Sequence, residues 1–237
     1  MSETITLTID GKAITARPGE TILQAAARSG VYIPRLCAFK DLSPFGSCRV
    51  CTVFVNGRPA AACTQPVADG MLVENDTEAV NAIRRDMIDM LFVEGNHFCM
   101  FCEKSGNCEL QAMAYRLGIA APRFPFLFPD RDVDMSHPDL YIDRNRCILC
   151  ARCVRASREW DGKAVFEFLG RGGHKRIAVN APALLKDTDA ALGDRAMRAC
   201  PVGALLPKRV GYAVPVGERL YDHQPIGTDI ETGKAVD

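Results

Sequence analysis

The run Cys147-Ile148-Leu149-Cys150-Ala151-Arg152-Cys153 is the most specific motif in this chain. Three thiolates at this spacing bind three corners of one cubane [4Fe–4S] cluster. Cys200 follows after 46 intervening residues, stands before Pro201, and is the candidate fourth ligand. A longer run would carry a further Cys-Pro for a second cluster, but this chain has Ser157 at that position. The motif therefore predicts one [4Fe–4S] cluster on Cys147, Cys150, Cys153 and Cys200, with structural zinc as the alternative.

Four cysteines nearer the N-terminus form the first of three groups along the chain, with the spacing C-x10-C-x2-C-x11-C, and the run above together with Cys200 is the third group. Residues 46–51 read Gly-Ser-Cys-Arg-Val-Cys, and such small residues in a tight turn let backbone N–H groups point at bridging sulfides. Structural zinc also accepts four cysteines, but it usually shows two C-x2-C pairs and this group has one. We therefore expect a [2Fe–2S] cluster on Cys37, Cys48, Cys51 and Cys63.

The second group along the chain contains three cysteines beside one histidine, namely His97, Cys99, Cys102 and Cys108. Three thiolates are one ligand short of a cubane, and a neutral imidazole can replace a thiolate, as it does in Rieske centres. A lone histidine more often makes ordinary hydrogen bonds, but the missing ligand favours ligation here. We expect a second [4Fe–4S] cluster at this group and assign no site to the other histidines, His137, His174 and His223.

The composition fits a metal-binding protein without a strongly charged surface. The 237 residues include 29 Lys and Arg and 29 Asp and Glu, which argues against nucleic-acid binding and against a polybasic membrane anchor. No apolar run approaches the roughly 18 residues that cross a bilayer, and residues 1–10 do not resemble a secretion signal. We expect a cytoplasmic chain, where disulfides are disfavoured, and the three groups use all 11 cysteines.

Basic residues cluster near two of the cysteine groups. They are Arg35, Lys40 and Arg49 near the first group, and Arg144, Arg146, Arg152, Arg155 and Arg158 near the third. Such residues can balance the negative charge of thiolate-bound clusters, or they can form a solvated or docking face. The sequence leaves both interpretations open for each one.

Hydrophobic periodicity predicts an α+β fold made of successive modules. The alternation in residues 4–9, followed by Asp10-Gly11, indicates a β-hairpin. The predicted strands are 4–9, 13–17, 52–55 and 71–73, and the predicted helices are 22–28, 77–94 and 109–117. The second helix is expected to bury Val80, Ile83, Met87, Met90 and Leu91. The apolar Phe124, Phe126 and Phe128 predict an ordered connector that packs on its neighbours.

Five segments follow from these patterns. They are a [2Fe–2S] domain (1–78), a helical module with the histidine and three cysteines (79–120), a connector (121–140), a [4Fe–4S] module (141–213) and an extended tail (214–237). The tail has little periodicity, and we expect it to order on a partner or on the chain's own surface.

Motifs for substrate binding are absent from the sequence. It has no G-x-G-x-x-G after a strand and no Walker loop, and residues 170–173, Gly-Arg-Gly-Gly, are typical of a turn. It also shows no Ser/His/Asp set or paired carboxylates. A sequence with several candidate redox centres and no recognisable substrate site predicts a non-catalytic electron-transfer subunit of an oxidoreductase.

The three groups in this order resemble the N-terminal region of the large iron–sulfur subunit of respiratory complex I and the accessory region of [FeFe] hydrogenases. The resemblance covers about residues 1–210. It implies a β-grasp plant-type ferredoxin domain, a small helical module with one histidine and three cysteine ligands, and a [4Fe–4S] ferredoxin-like module. Two features differ: His97 precedes Cys99 by two residues, where those families usually have four, and those families continue into a larger domain.

At its length the chain is similar to the small diaphorase subunits, or gamma subunits, of cytoplasmic NAD-reducing [NiFe] hydrogenases. That resemblance implies two sets of partners, an FMN- and NAD-binding diaphorase subunit and the hydrogenase small and large subunits. It implies stepwise one-electron transfer that couples hydrogen oxidation reversibly to NAD reduction. The alternatives are the equivalent subunit of a bidirectional hydrogenase, an NAD-dependent formate dehydrogenase or a complex I-like NADH dehydrogenase, and a structural or redox-sensing metal-binding module.

Overall fold

The computed structural model describes residues 4–182 and 184–233. The first part of the chain forms β1 (Ile5–Ile9), β2 (Lys12–Ala16), α1 (Ile22–Arg28), β3 (Thr52–Val55), β4 (Arg58–Ala61) and β5 (Leu72–Glu74). The strands make one sheet in the order β2-β1-β5-β3-β4. β1 and β5 are parallel, the other neighbouring pairs are antiparallel, and α1 packs on the sheet. This mixed sheet with its helix is the β-grasp arrangement that the resemblance implied.

Local sequence determines the first hairpin and the start of α1. Asp10 and Gly11 have φ values of 49° and 79°, and a two-residue hairpin turn of the primed type needs such left-handed backbone at both positions. At the start of α1, the Thr21 side chain accepts a hydrogen bond from the Gln24 backbone, and the Gln24 side chain accepts one from the Thr21 backbone. This reciprocal pair satisfies two N–H groups that a helix start leaves free.

The middle of the chain forms α2 (Glu78–Val93), a 3-10 turn (Cys99–Phe101) and α3 (Glu109–Arg116). The helix prediction over 77–94 is confirmed, but the predicted buried face is partly wrong. Met90 is exposed, whereas Arg84 and Asp89 are buried.

The reason is that α2 is covered on two sides. Arg84 donates hydrogen bonds to the Thr52 carbonyl oxygen (3.0 Å) and to the backbone and side chain of Asn75 (2.8 and 2.7 Å), all in the first module. On the other side, Asp89 accepts a hydrogen bond of 2.7 Å from Arg123. Because α2 is covered by polar groups on two sides, it buries charged residues that have hydrogen-bond partners there. A single apolar stripe therefore does not describe the buried surface of this helix.

The connector is ordered by backbone contacts. The Leu127 amide donates to the Val93 carbonyl oxygen at 3.0 Å, and the Asn96 side chain donates to the Pro129 carbonyl oxygen at 2.9 Å. The prediction that its phenylalanines pack on neighbours is wrong, because Phe124, Phe126 and Phe128 are exposed. Phe126 and Phe128 stack on each other instead, with ring centroids 5.5 Å apart.

The third part of the chain contains two small sheets and two helices. Its elements are β6 (Val133–Asp134), β7 (Leu140–Asp143), α4 (Arg152–Glu159), β8 (Phe166–Leu169), β9 (Arg176–Val179), α5 (Arg195–Ala199) and β10 (Leu205–Pro207). One sheet has the order β10-β7-β6, and β8 pairs with β9. The turn predicted at 170–173 joins β8 to β9, and Gly170 is needed there because a Cβ would lie 2.5 Å from the His174 carbonyl oxygen.

Residues 214–233 lie against the first two modules, and they include α6 (Thr228–Thr232). The Tyr221 amide donates to the Gly106 carbonyl oxygen at 3.0 Å, and Arg116 donates to the Ile226 carbonyl oxygen at 2.8 Å. The tail was expected to order on a partner or on the chain's own surface. Residues 214–233 are ordered on the chain's own surface. Residues 234–237 of the predicted tail lie outside the described residues.

Two hydrophobic cores meet at the first cysteine group. The smaller core contains Cys51 and Cys63 together with the strands of the first sheet. The larger core contains Cys37 and Cys48 together with the residues of α3, α4 and the third part of the chain. Among the described helices, none has the length and apolar character of a membrane span.

Candidate metal centres

The four cysteines of the first group come together in the interior. Their sulfur atoms form a chain of contacts, from Cys48 to Cys37, from Cys37 to Cys63 and from Cys63 to Cys51. All four side chains are buried. Hydrogen bonds from the thiols of Cys48 and Cys63 lower the pKa of Cys37, which shows how closely the sulfurs approach.

The loop that carries Cys48 and Cys51 has the tight geometry that the sequence predicted. Gly46 has a φ of 72°, and a Cβ at this position would lie 3.0 Å from Thr64. Arg49 also has left-handed backbone, with a φ of 58°. The Cys37 amide donates to the Cys48 sulfur at 3.3 Å, and the backbone at Ser47 and Cys48 donates to the Cys37 sulfur. Backbone donors therefore surround these sulfur atoms, which suits thiolates in an iron–sulfur site.

The second group lines one cavity, and His97, Cys99, Cys102 and Cys108 all contribute to its wall. The Nε2 atom of His97 is buried and has no hydrogen-bond partner among the described residues. Burial, followed by the charge of Arg131, lowers the pKa of His97 to about 4, so the imidazole is neutral near pH 7. A neutral imidazole whose buried Nε2 has no partner among the described residues, beside three thiols, fits a metal ligand.

Sequence reasoning did not identify the other wall of this cavity, which comes from the third part of the chain. Val202, Gly203 and Arg146 line it. A Cβ at Gly203 would lie 2.7 Å from the Cys102 sulfur, so only glycine leaves that sulfur in place. The sequence contained a partial indication that Gly203 belongs to a site, because Gly203 closely follows the predicted ligand Cys200. The contact with Cys102 spans about a hundred residues and leaves no local pattern.

The third group also lines one cavity, and all four predicted cysteines contribute to it. Its remaining wall is apolar, with Ile142, Ile148, Ala151, Ile177, Val202, Ala204 and Leu205. Burial raises the pKa of Cys147 to about 11 and that of Cys150 to about 12. Thiolates in such an apolar site need a bound cation to compensate their charge, as iron does in a cluster.

Two left-handed residues shape the C-x2-C-x2-C loop. Leu149 and Ala151 have φ values of 53° and 58°. Cys153 then lies in the first turn of α4, and Cys200 ends α5. The loop and the two helix ends therefore bring residues far apart in sequence to one cavity. Within residues 4–182 and 184–233, no three His, Cys, Asp or Glu side chains converge on a site for a single metal ion.

The structure decides which role several of the basic residues have. Arg144, Arg152 and Arg155 are buried, whereas Arg158 is exposed and pairs with Glu167. Near the first group, Arg35 is half-buried, and Lys40 and Arg49 are exposed. The buried arginines of α4 therefore belong to the interior, and Arg158 belongs to a solvated face.

Arg155 joins the first group to the third. It donates to the Cys37 carbonyl oxygen at 2.6 Å and to the Cys150 carbonyl oxygen at 3.5 Å, and it also contacts the Ser43 carbonyl oxygen. The second and third groups share a wall, since Val202 lines both cavities. The third group therefore adjoins both of the others.

Three family models match the chain, one for each part. Residues 2–78 match a 2Fe-2S iron-sulfur cluster binding domain, residues 84–123 match the iron-sulfur binding region of NADH-ubiquinone oxidoreductase-G, and residues 138–206 match the ferredoxin-like domain of NADH-quinone oxidoreductase subunit 3. Fold, thiol groups and family matches together define an iron–sulfur electron-transfer protein.

Whole-chain comparisons narrow this class. The chain is 45% identical to subunit gamma of the NAD-reducing hydrogenase HoxS of Cupriavidus necator, over 94% of this chain and 95% of that protein. It also matches a chain in a crystal structure of an NAD+-reducing [NiFe]-hydrogenase in the H2-reduced state, with a TM-score of 0.92, 46% identity and 94% and 95% coverage. The chain belongs to the family of gamma subunits of NAD-reducing hydrogenases.

A longer relative shares only this region. The chain is 37% identical to the alpha subunit of an NADPH-Fe(3+) oxidoreductase of Geobacter sulfurreducens over 86% of its own length, but it spans 24% of that protein. The β-grasp fold and the α+β class, expected from the sequence, are confirmed by these matches.

Proposed function

We propose that this chain transfers single electrons between an FMN- and NAD-binding diaphorase subunit and the small and large subunits of a [NiFe] hydrogenase. The direction of transfer is reversible, so that hydrogen oxidation is coupled to NAD reduction. The support is the likeness to a hydrogenase gamma subunit over nearly the full length of both chains. Hydrogen and NAD react on the partners, and this chain has no substrate site of its own.

Three clusters belong to this proposal. Cys37, Cys48, Cys51 and Cys63 hold [2Fe–2S]; His97, Cys99, Cys102 and Cys108 hold one [4Fe–4S]; and Cys147, Cys150, Cys153 and Cys200 hold the other. When bound, such clusters accept and release one electron at a time. The observation that carries the assignment is that the members of each group meet in the interior, in two cases around a cavity.

The chain's own residues prepare these sites. Ile142, Ile177 and Leu205 exclude water from the third group. The His97 pKa of about 4 keeps its imidazole neutral and able to donate a lone pair. Since the third group adjoins the first through Arg155 and the second through Val202, a cluster held by the third group could exchange electrons with both of the others.

We place the chain in the cytoplasm. All eleven cysteines are free of disulfide bonds, which is the usual state in a reducing compartment. Thiolates that are to bind iron must remain reduced until cluster assembly, and the proposed location meets that need.

The test is to isolate the native complex that contains this chain and to analyse its subunits and metals. We expect nickel, flavin and NAD reduction driven by hydrogen. Molybdenum or tungsten without nickel would contradict the hydrogenase assignment and indicate a formate dehydrogenase. A complex without either type of catalytic metal would indicate a complex I-like enzyme.

A further inference from the structure

The three cysteine groups meet at one buried side chain, Arg152 at the start of α4. Its side chain is 1% exposed. It donates to both carboxylate oxygens of Glu109, at 2.6 and 2.7 Å, and to the Ala38 carbonyl oxygen at 3.0 Å. It also approaches the Ala199 carbonyl oxygen at 3.5 Å. One guanidinium therefore has contacts in all three parts of the chain.

Each of these partners is the sequence neighbour of a predicted ligand. Ala38 follows Cys37 of the first group, and Glu109 follows Cys108 of the second. Ala199 precedes Cys200 of the third group, and Arg152 itself precedes Cys153. A movement of the guanidinium would therefore change a contact made next to a ligand in every group, through backbone at Ala38 and Ala199 and through the side chain at Glu109.

The chemistry of these contacts requires arginine. A planar guanidinium can bind a carboxylate with two parallel hydrogen bonds and still reach carbonyl groups with its remaining N–H atoms, whereas the ammonium of lysine is a point charge. The Arg152 guanidinium also lies over the Phe39 ring, 4.8 Å from its centroid. Phe39 belongs to the first module, so this contact adds to the link between modules.

We propose that Arg152, together with Glu109, is a positioning residue that fixes the separations of the three metal centres. The proposal rests on the proposed function, since separation matters because electrons must cross between the centres. Arg155 joins only two of the groups, whereas Arg152 joins all three. The pair Arg152–Glu109 also places a positive charge beside the third group and a compensating negative charge beside the second.

The experiment uses the intact complex with Arg152→Lys and Glu109→Asp, which keep both charges and break the paired geometry. The control is Arg158→Lys, on the same helix but exposed. The readouts are iron content and the magnetic interaction between reduced centres in electron paramagnetic resonance spectra. We expect full iron content in all three variants, and loss or change of the magnetic interaction only in Arg152→Lys and Glu109→Asp.

A second pair of variants separates position from charge. Arg152→Met leaves the Glu109 carboxylate without its partner, so the reduced, more negative third centre is destabilised and its midpoint potential falls. Arg152→Met combined with Glu109→Gln removes both charges, and the potential returns towards that of the unmodified protein. The altered magnetic interaction remains in both variants, because neither restores the paired hydrogen bonds.

Two results would overturn the proposal. One is an unchanged magnetic interaction in Arg152→Lys and Glu109→Asp with full iron content. The other is loss of iron from every centre in both variants, which would give the pair a role in folding alone. Failure of the proposed function is recognised separately, because the unmodified complex would then lack iron or hydrogen-dependent NAD reduction.

Discussion

At the scale of single residues, His97 shows what spacing can and cannot predict. A histidine beside three cysteines indicated a fourth ligand, since a cubane needs four. The structure adds the burial of Nε2 and its lack of a partner among the described residues. These properties come from packing around α2 and the third part of the chain, as in the contact between Phe92 and the His97 ring. No local pattern encodes them, so the sequence predicted His97 as a candidate ligand but not its environment.

His97→Cys tests the ligand assignment. A fourth thiolate makes the centre more negative, so we expect the midpoint potential of one [4Fe–4S] centre to fall while the iron content stays the same. The measurement is a redox titration followed by electron paramagnetic resonance. His137→Ala is the control, because the hydrogen bonds of His137 among the described residues go to the Ala190 carbonyl oxygen and the Asp139 amide, away from the cysteine groups. Identical titrations for His97→Cys and the unmodified protein would contradict ligation by His97.

Gly203→Ala tests the wall that the third part of the chain contributes to the second group. The added Cβ would lie 2.7 Å from the Cys102 sulfur, so we expect the second centre to lose iron while the other two keep theirs. Gly193→Ala is a matched control, since a Cβ there meets nothing within 4 Å and the backbone is not left-handed. Equal iron contents in the two variants would show that Gly203 does not shape the site.

At the scale of secondary structure, elements determined by local sequence were predictable and long-range surfaces were not. The β1–β2 hairpin follows from alternation and an Asp-Gly turn, and α1 and α2 follow from their caps and periodicity. The buried face of α2 was predicted incorrectly because Arg84 and Asp89 find partners more than thirty residues away or across a module boundary. The outward phenylalanines of the connector were mispredicted for the same reason, since apolar character alone does not specify what covers a side chain.

Arg84→Ala tests the role of α2 in holding the first module. The substitution leaves the Thr52 and Asn75 carbonyl groups buried without their donor, so we expect the free energy of unfolding to fall by about 3 kcal/mol. Urea unfolding followed by circular dichroism measures this change. Arg85→Ala removes an ion pair with the exposed Glu78 and should change the free energy by about 0.5 kcal/mol or less. Similar losses for both variants would contradict a special role for Arg84.

At the scale of the whole molecule, the cysteine groups adjoin one another in a shared interior. The larger core contains cysteines of all three groups, and the second and third groups share a wall. The sequence predicted three groups of ligands and the family, but not which groups adjoin one another in space. Their arrangement depends on contacts such as Arg155 with Cys37, which join residues 118 positions apart.

Cys153→Ser tests whether electrons need the third group. Loss of its centre should abolish hydrogen-dependent NAD reduction by the complex, while NADH oxidation by an artificial dye at the flavin subunit continues. Both rates are measured on the same preparation. Full coupled activity in this variant would mean that electrons do not need the third group.

The central claim is that this chain holds three iron–sulfur clusters, and its most direct test is the iron and acid-labile sulfide content of the purified, anaerobically prepared protein. The account predicts about ten iron and about ten sulfide per chain, as expected for one [2Fe–2S] and two [4Fe–4S] clusters. A colourless protein with stoichiometric zinc and no labile sulfide would contradict it.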